Sequence, residues 1–144
     1  MPRTQLPDGF FHVNTVAVAG TPAFFSDVDR IDFLRLLAEC VRTYDWTFYA
    51  YCLMTTHYHL VVDARQEQLS AGMHRLNGLH ARRVNKRLAR PGHLFRARFS
   101  ARVLESEEHL HAACRYVLLN PVNAGLCARA EDWPWSSSRW GKSP

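Results

Sequence analysis

Two histidines, His57 and His59, sit two residues apart in the run Met54-Thr55-Thr56-His57-Tyr58-His59-Leu60-Val61-Val62. The β-branched, apolar surroundings predict a strand, and a strand's period of two puts both imidazoles on one face, roughly 7 Å apart along the chain. That is a bidentate arrangement for a metal ion. Tyr58, Leu60 and Val62 then point the other way and supply a core face. The same pattern also fits two histidines on the solvated face of a half-buried strand. Only a third partner makes the spacing specific for a metal.

Other stretches carry chemistry too. From Arg96 to Leu104 a strand is predicted in which Ala97, Phe99, Ala101 and Val103 face one way and Arg96, Arg98, Ser100 and Arg102 the other. Three arginines on one strand face repel each other unless an anion or carboxylates offset them, and a phosphate backbone is the better partner. Arg82, Arg83, Lys86, Arg87 and Arg90 follow one another late in a predicted helix. Such a run is either a solvated face that complements the helix dipole or a phosphate-tracking surface. Farther on, Tyr116 and Asn120 lie four apart and so share a helix face, with Ala112 and Ala113 leaving space beside them.

The elements that must position these groups can be read in order. Phe10 to Val18 alternates as a first strand, with Phe11, Val13, Thr15 and Ala17 on one side and His12, Asn14 and Val16 on the other. Ser26 or Asp27 caps a helix running to about Tyr44, with an apolar stripe at positions 28, 31, 34, 37, 38 and 41. Trp46 to Met54 is a second strand, and Thr55-Thr56 turns it into the third, which bears the histidines. Glu67 to Leu88 is a second helix with Leu69, Met73, Leu76, His80 and Val84 as its stripe, ended before Pro91-Gly92. After the arginine strand, Ser106-Glu107-Glu108 starts a third helix that packs through Leu110, Cys114, Val117 and Leu118 and stops near Asn120, before Pro121. In the tail, Trp133, Trp135 and Trp140 either wrap the domain or stack on unpaired bases.

The order βαββαβ is the ferredoxin-like plait, an α+β fold with a four-stranded antiparallel sheet and two helices on one face. If the helices cover Tyr58, Leu60, Val62, Phe99 and Val103, the open face collects His57, His59, Arg96, Arg98 and Arg102, with His12 as an optional member. The third helix, an addition to the plait, can then lay Tyr116 and Asn120 over that face.

Composition narrows the partners. The 144 residues (1–144) suit a single domain, and with 47% apolar residues they can bury a core without disulfides. Eighteen basic against thirteen acidic residues give a net charge of +5 and a pI near 9.3. A polyanion is the expected partner, although charge alone does not separate nucleic acid from a membrane surface. Cys40, Cys52, Cys114 and Cys127 show no metal-site or disulfide spacing and read as reduced thiols. With no apolar run of membrane-spanning length and no signal-peptide pattern at Met1-Pro2-Arg3, the chain reads as soluble and cytoplasmic.

Taken together these segments resemble a known family. His57-Tyr58-His59 matches the His-hydrophobic-His motif of the HUH single-strand nucleases. The stretch from Arg115 through Tyr116, Asn120 and Pro121 to Leu126 is similar to the tyrosine-bearing helix and its exit in REP-associated tyrosine transposases. The blocks Gly92 to Phe99 and Trp133 to Ser137 continue the resemblance across nearly the whole chain.

The resemblance implies transesterification of single-stranded DNA at repetitive hairpin elements. Carried over by position, Tyr116 is the nucleophile and forms a 5′-phosphotyrosine, while His57, His59 and Asn120 bind a divalent cation, magnesium or manganese. The REP-associated branch further implies a monomer. On physical grounds alone, Arg96, Arg98, Arg102, Arg82, Arg83 and Lys86 are the expected DNA-backbone contacts.

Two departures from the family pattern stand out. Met54-Thr55-Thr56 replaces a common Met-Pro-Asn, and Val18-Ala19-Gly20 lacks the usual arginine before glycine. The first bears on the turn before the histidines, the second on a DNA contact at that edge. A non-cleaving DNA-binding protein, or a phosphodiesterase that uses water instead of Tyr116, would share most of the same features.

Overall fold

The computed structural model describes residues 8–142. Its strands are β1 (Gly9–Val16), β2 (Thr47–Leu53), β3 (His57–Ala64), β4 (Ser100–Leu104) and β5 (Ser136–Ser138). The helices are α1 (Asp27–Thr43), α2 (Gln66–Leu88) and α3 (Glu107–Asn123), with one turn of 3-10 helix at Ala130–Asp132. The strands form one antiparallel sheet in the order β4-β1-β3-β2-β5. This is the expected plait with a fifth strand added at its β2 edge.

Strand alternation creates two cores. Phe11, Val13, Tyr58, Leu60 and Val62 pack with Phe33, Leu36 and Leu37 of α1 and Leu69, Met73 and Leu76 of α2. From the opposite sheet face, Ala50, Cys52, Val61 and Leu104 meet Leu110, Ala113, Cys114 and Val117 of α3. The face predicted to be open is therefore partly roofed by α3. On the helix-covered side Tyr58 is fully buried and hydrogen-bonds through its hydroxyl to Asn77. That places it away from the histidines, as the strand period requires.

Helix α2 buries the predicted stripe of Leu69, Met73, Leu76, His80 and Val84. Helix α1 follows its predicted stripe only in part: Leu37 is buried and Leu34 and Val41 pack against the core, but the first two positions turn outward. Val28 and Ile31 are 59% and 44% exposed, while Phe33, Leu36, Leu37 and Cys40 face the core. A polar anchor sets the rotation of its first turn: buried Asp29 accepts the Phe25 N–H at 2.8 Å and pairs with Arg87 of α2. Phe24 enters the core instead and packs on Phe33 and His80.

The predicted strand from Arg96 to Leu104 is shorter than expected. Only Ser100–Leu104 pairs with β1 as a strand, and Phe95 makes a single bridge to Ala17. Residues 96–98 are bends and not strand, although the Arg96 N–H still donates to the Val16 carbonyl at 2.9 Å, and the Arg96 and Arg98 side chains leave the face that Arg102 keeps. Helix α3 runs past Pro121 to Asn123. Proline removes only its own N–H from the helix ladder, and the end is closed by the N–H groups of Ala124 to Asn120 and Leu126 to Pro121, both at 2.9 Å.

The tryptophan tail wraps the sheet. Trp133 donates its indole N–H to the Leu53 carbonyl at 3.1 Å, and the Trp135 carbonyl accepts the Leu53 N–H at 2.8 Å. β5 then pairs with Ala50 to Cys52. The four cysteines are free thiols, Cys40, Cys52 and Cys114 of them buried. Among the described residues, no helix is long and apolar enough to cross a membrane.

One close approach fixes α2 against the start of β2. Trp46 donates its indole N–H to the Gln68 carbonyl, and its ring fills the space a side chain at Gly72 would need. A Cβ there would lie 2.3 Å from Trp46 Cζ2. Gly72→Ala is expected to lower stability by roughly 1–2 kcal/mol, overpacking outweighing the better helix propensity of alanine. Urea unfolding checks this; a midpoint equal to or above wild type would count against the packing described.

Candidate active site

β3 lies between β1 and β2, so its side chains are framed on both sides. His59 stands opposite Asn14 of β1 and Cys52 of β2, and His57 opposite Val16. One residue pair further along, His12 stands opposite Arg102 of β4. The His57 and His59 rings are 5.1 Å apart, nearly perpendicular. His57 Nδ1 lies 3.2 Å from the Thr56 hydroxyl, so the Thr55-Thr56 turn supplies a contact for the first histidine.

Helix α3 completes the cluster. Its N-cap, Ser106, accepts the His109 N–H at 3.0 Å and starts the helix beside β4. The apolar stripe docks on the sheet, which turns Ala112, Tyr116 and Asn120 towards the histidines. Asn120 Nδ2 is 3.3 Å from His59 Nε2, and His59 Nδ1 is 3.0 Å from His12 Nε2. The Tyr116 ring stands edge-on to both imidazoles, 5.7 Å from His12 and 6.0 Å from His59. A cleft of about 480 Å³ opens here, lined among others by His12, His59, Arg102, His109, Ala112 and Tyr116.

Burial keeps the imidazoles uncharged. His59 is pushed down to about 3, mainly because α3 and the sheet exclude water, with further lowering from His12 and His57. Desolvation also lowers His57, and lowers His12 together with the neighbouring Arg102 charge. Neutral imidazoles offer lone pairs near neutral pH, the state a metal ion needs.

The donor set suits a divalent cation only when the carboxamide is included. Among the described residues, no three His, Cys, Asp or Glu side chains group to hold a metal. The two imidazoles adjoin each other, and the Asn120 amide faces, through Nδ2, the His59 nitrogen that remains free of His12, so that turning the amide over would bring its oxygen there. Such a mixed nitrogen and oxygen set leaves further positions for phosphate oxygens and water.

The predicted residues divide between two places. His57, His59, Asn120, Tyr116 and Arg102 share one region, and His12 joins them. Arg96 and Arg98 do not. They line a separate groove of about 780 Å³ between α2 and residues 92–99, together with Arg82, His74 and His93. Arg83 pairs with Asp32 of α1 at 2.9 Å, and Lys86 is exposed on α2. His109, outside the expected set, also lines the cleft, and its spacing from Ala112, Tyr116 and Asn120 marks one helix face.

The family model described as "Transposase IS200 like" matches residues 11–119, from β1 through Tyr116. The chain belongs to the IS200-like transposase family. Two solved structures share the fold. A REP-associated tyrosine transposase bound to a REP hairpin aligns with a TM-score of 0.73 at 13% identity, covering 91% of this chain and 77% of that one. A Deinococcus radiodurans R1 protein assigned as a transposase aligns with a TM-score of 0.55 at 14% identity, covering 88% and 96%. No curated protein matches the sequence. For an IS200-like transposase, the cleft under α3 is the natural place to seek DNA processing, because β1, β3, β4 and α3 bring their polar side chains together there.

Proposed function

We propose that this IS200-like transposase cuts and rejoins single-stranded DNA through a covalent link to Tyr116. What carries the reading is the convergence of Tyr116 and Asn120 from α3 with His57 and His59 from β3. The Tyr116 phenol oxygen attacks the phosphorus and displaces the 3′ oxygen. The phenol loses its proton to solvent, the leaving oxygen gains one, and the products are a 5′-phosphotyrosine and a 3′-hydroxyl. The reverse step rejoins strands, because a phenolate with pKa near 10 leaves far more readily than an alkoxide.

His57, His59 and Asn120 would hold a divalent cation, manganese or magnesium. When bound, it supplies positive charge to a phosphate oxygen and offsets the charge that builds in the transition state. Arg102, on the cleft wall, supplies a fixed charge of the same sign for the incoming backbone. Tyr116 faces the histidines of its own chain, which supports a monomer acting without a shared site.

The substrate we infer is a hairpin with an adjoining single strand. A relative of the same fold was solved with a REP hairpin, and the arginine groove lies apart from the cleft. Arg82, Arg96 and Arg98 would hold the duplex stem while the single strand enters the cleft. Replacing both Arg96 and Arg98 by alanine is expected to weaken hairpin binding about tenfold or more. It should also flatten the log–log salt dependence by about one unit per lost phosphate contact. Binding and salt slope unchanged from wild type would remove the groove from the account.

The overall reading is tested by incubating internally labelled hairpin DNA with the protein and manganese or magnesium, then denaturing. A covalent protein–DNA adduct is expected. Cleavage without an adduct would point to attack by water, and binding without cleavage to a DNA-binding role alone.

A further inference from the structure

We propose that His12 is a positioning residue: it accepts a hydrogen bond from His59 Nδ1–H and so fixes His59 in the tautomer whose Nε2 carries the lone pair that a cation would take in place of the Asn120 amide hydrogen. This rests on the reading of His57 and His59 as cation ligands. A neutral imidazole has one donor and one acceptor nitrogen, so a neighbour that settles one nitrogen settles the other. His59 has both nitrogens engaged. Nδ1 lies 3.0 Å from His12 Nε2, and Nε2 lies 3.3 Å from Asn120 Nδ2.

The amide N–H of Asn120 requires a lone pair on His59 Nε2. The proton of His59 then sits on Nδ1, where it donates to His12. His12 in turn carries its own proton on Nδ1 and presents Nε2 as the acceptor. This chain leaves the His59 lone pair on the side of Asn120, whose amide would turn over to offer its oxygen to the same cation. Outer partners of this kind orient a ligating histidine and raise its basicity.

His12 acts through His59 and not as a ligand itself. Its Nε2 is committed to His59, and no third His, Cys, Asp or Glu completes a metal group among the described residues. The backbone supports the same arrangement. β1 pairs with β3 on one side and β4 on the other, so His12 is held in the middle of three strands. The Tyr116 ring stands against the same imidazole at 5.7 Å. One side chain therefore orients the ligand and flanks the nucleophile.

The experiment combines tautomer NMR on ¹⁵N-histidine-labelled, metal-free protein with calorimetric binding of Mn²⁺ to wild type, His12→Ala and His12→Gln. The proposal expects His59 as the Nδ1–H tautomer in wild type and a mixture in His12→Ala. Mn²⁺ affinity should fall about 10–100-fold in His12→Ala. His12→Gln, which restores an acceptor oxygen, should recover most of that loss. A merely structural role would leave the affinity of correctly folded His12→Ala unchanged. The proposal is overturned if wild-type His59 is the Nε2–H tautomer, or if His12→Ala binds Mn²⁺ within twofold of wild type. Wild type that binds no Mn²⁺ overturns the cation reading itself, and this proposal with it.

Discussion

Tyr116→Phe is expected to abolish strand cleavage and the covalent adduct, with a loss of at least about a thousandfold in rate, as removal of a nucleophile does elsewhere. Only one oxygen is removed. Tyr116 is 51% exposed, and its ring holds its place by edge contacts with His12 and His59 that phenylalanine can keep. Stability should therefore stay within about 0.5 kcal/mol of wild type. Hairpin affinity should change by no more than about threefold, because the arginine groove is untouched. A denaturing gel with internally labelled hairpin DNA checks the chemistry, and a mobility shift checks the binding. If cleavage persists in this variant, water is the nucleophile and the tyrosine assignment is lost.

His57→Ala should be the second large effect. His57 is the more accessible of the two histidines, and it stands outside the chain that links His12, His59 and Asn120. Its removal withdraws one candidate ligand while leaving that chain in place. Mn²⁺ affinity is expected to drop by more than about 100-fold, beyond the range seen when only an outer partner of a ligand is lost. Cleavage should fall in parallel and recover in part at high Mn²⁺. Removing the ion from wild type with EDTA should likewise stop cleavage while leaving hairpin binding intact. Cleavage that is indifferent to EDTA would show that the histidines serve another purpose.

Much of this arrangement was legible in the residues because strand and helix periods are strict. The alternation around Tyr58 separates the histidines from the core, and the structure keeps that separation. The four-residue spacing of Tyr116 and Asn120 put both on the face of α3 that meets β3. The stripe of α2 needed only its apolar pattern.

The failures have equally definite causes. In α1 the rotation is set by the pairing of buried Asp29 with the more exposed Arg87, which apolar counting does not register. At residues 96–98 the alternation is sound on paper, yet β4 is an edge strand with no further strand beside it among the described residues, and the bends begin where the Arg96 N–H meets the Val16 carbonyl. Its arginines consequently serve two surfaces instead of one. The short run Ser136–Ser138 has no strand propensity to speak of and pairs because the Trp133 and Trp135 contacts bring it beside β2. The hydrogen bond between His12 and His59 joins residues 47 positions apart, and only the register of β1 against β3 reveals it.

The central claim is that Tyr116 itself becomes joined to DNA. The most direct measurement is mass spectrometry of the wild-type protein after reaction with a hairpin substrate and Mn²⁺, followed by nuclease and protease digestion. The account predicts a nucleotide 5′-phosphate attached to the peptide containing Tyr116, at that residue. Cleaved DNA with Tyr116 unmodified, or an adduct on another tyrosine such as Tyr49 or Tyr51, would contradict it.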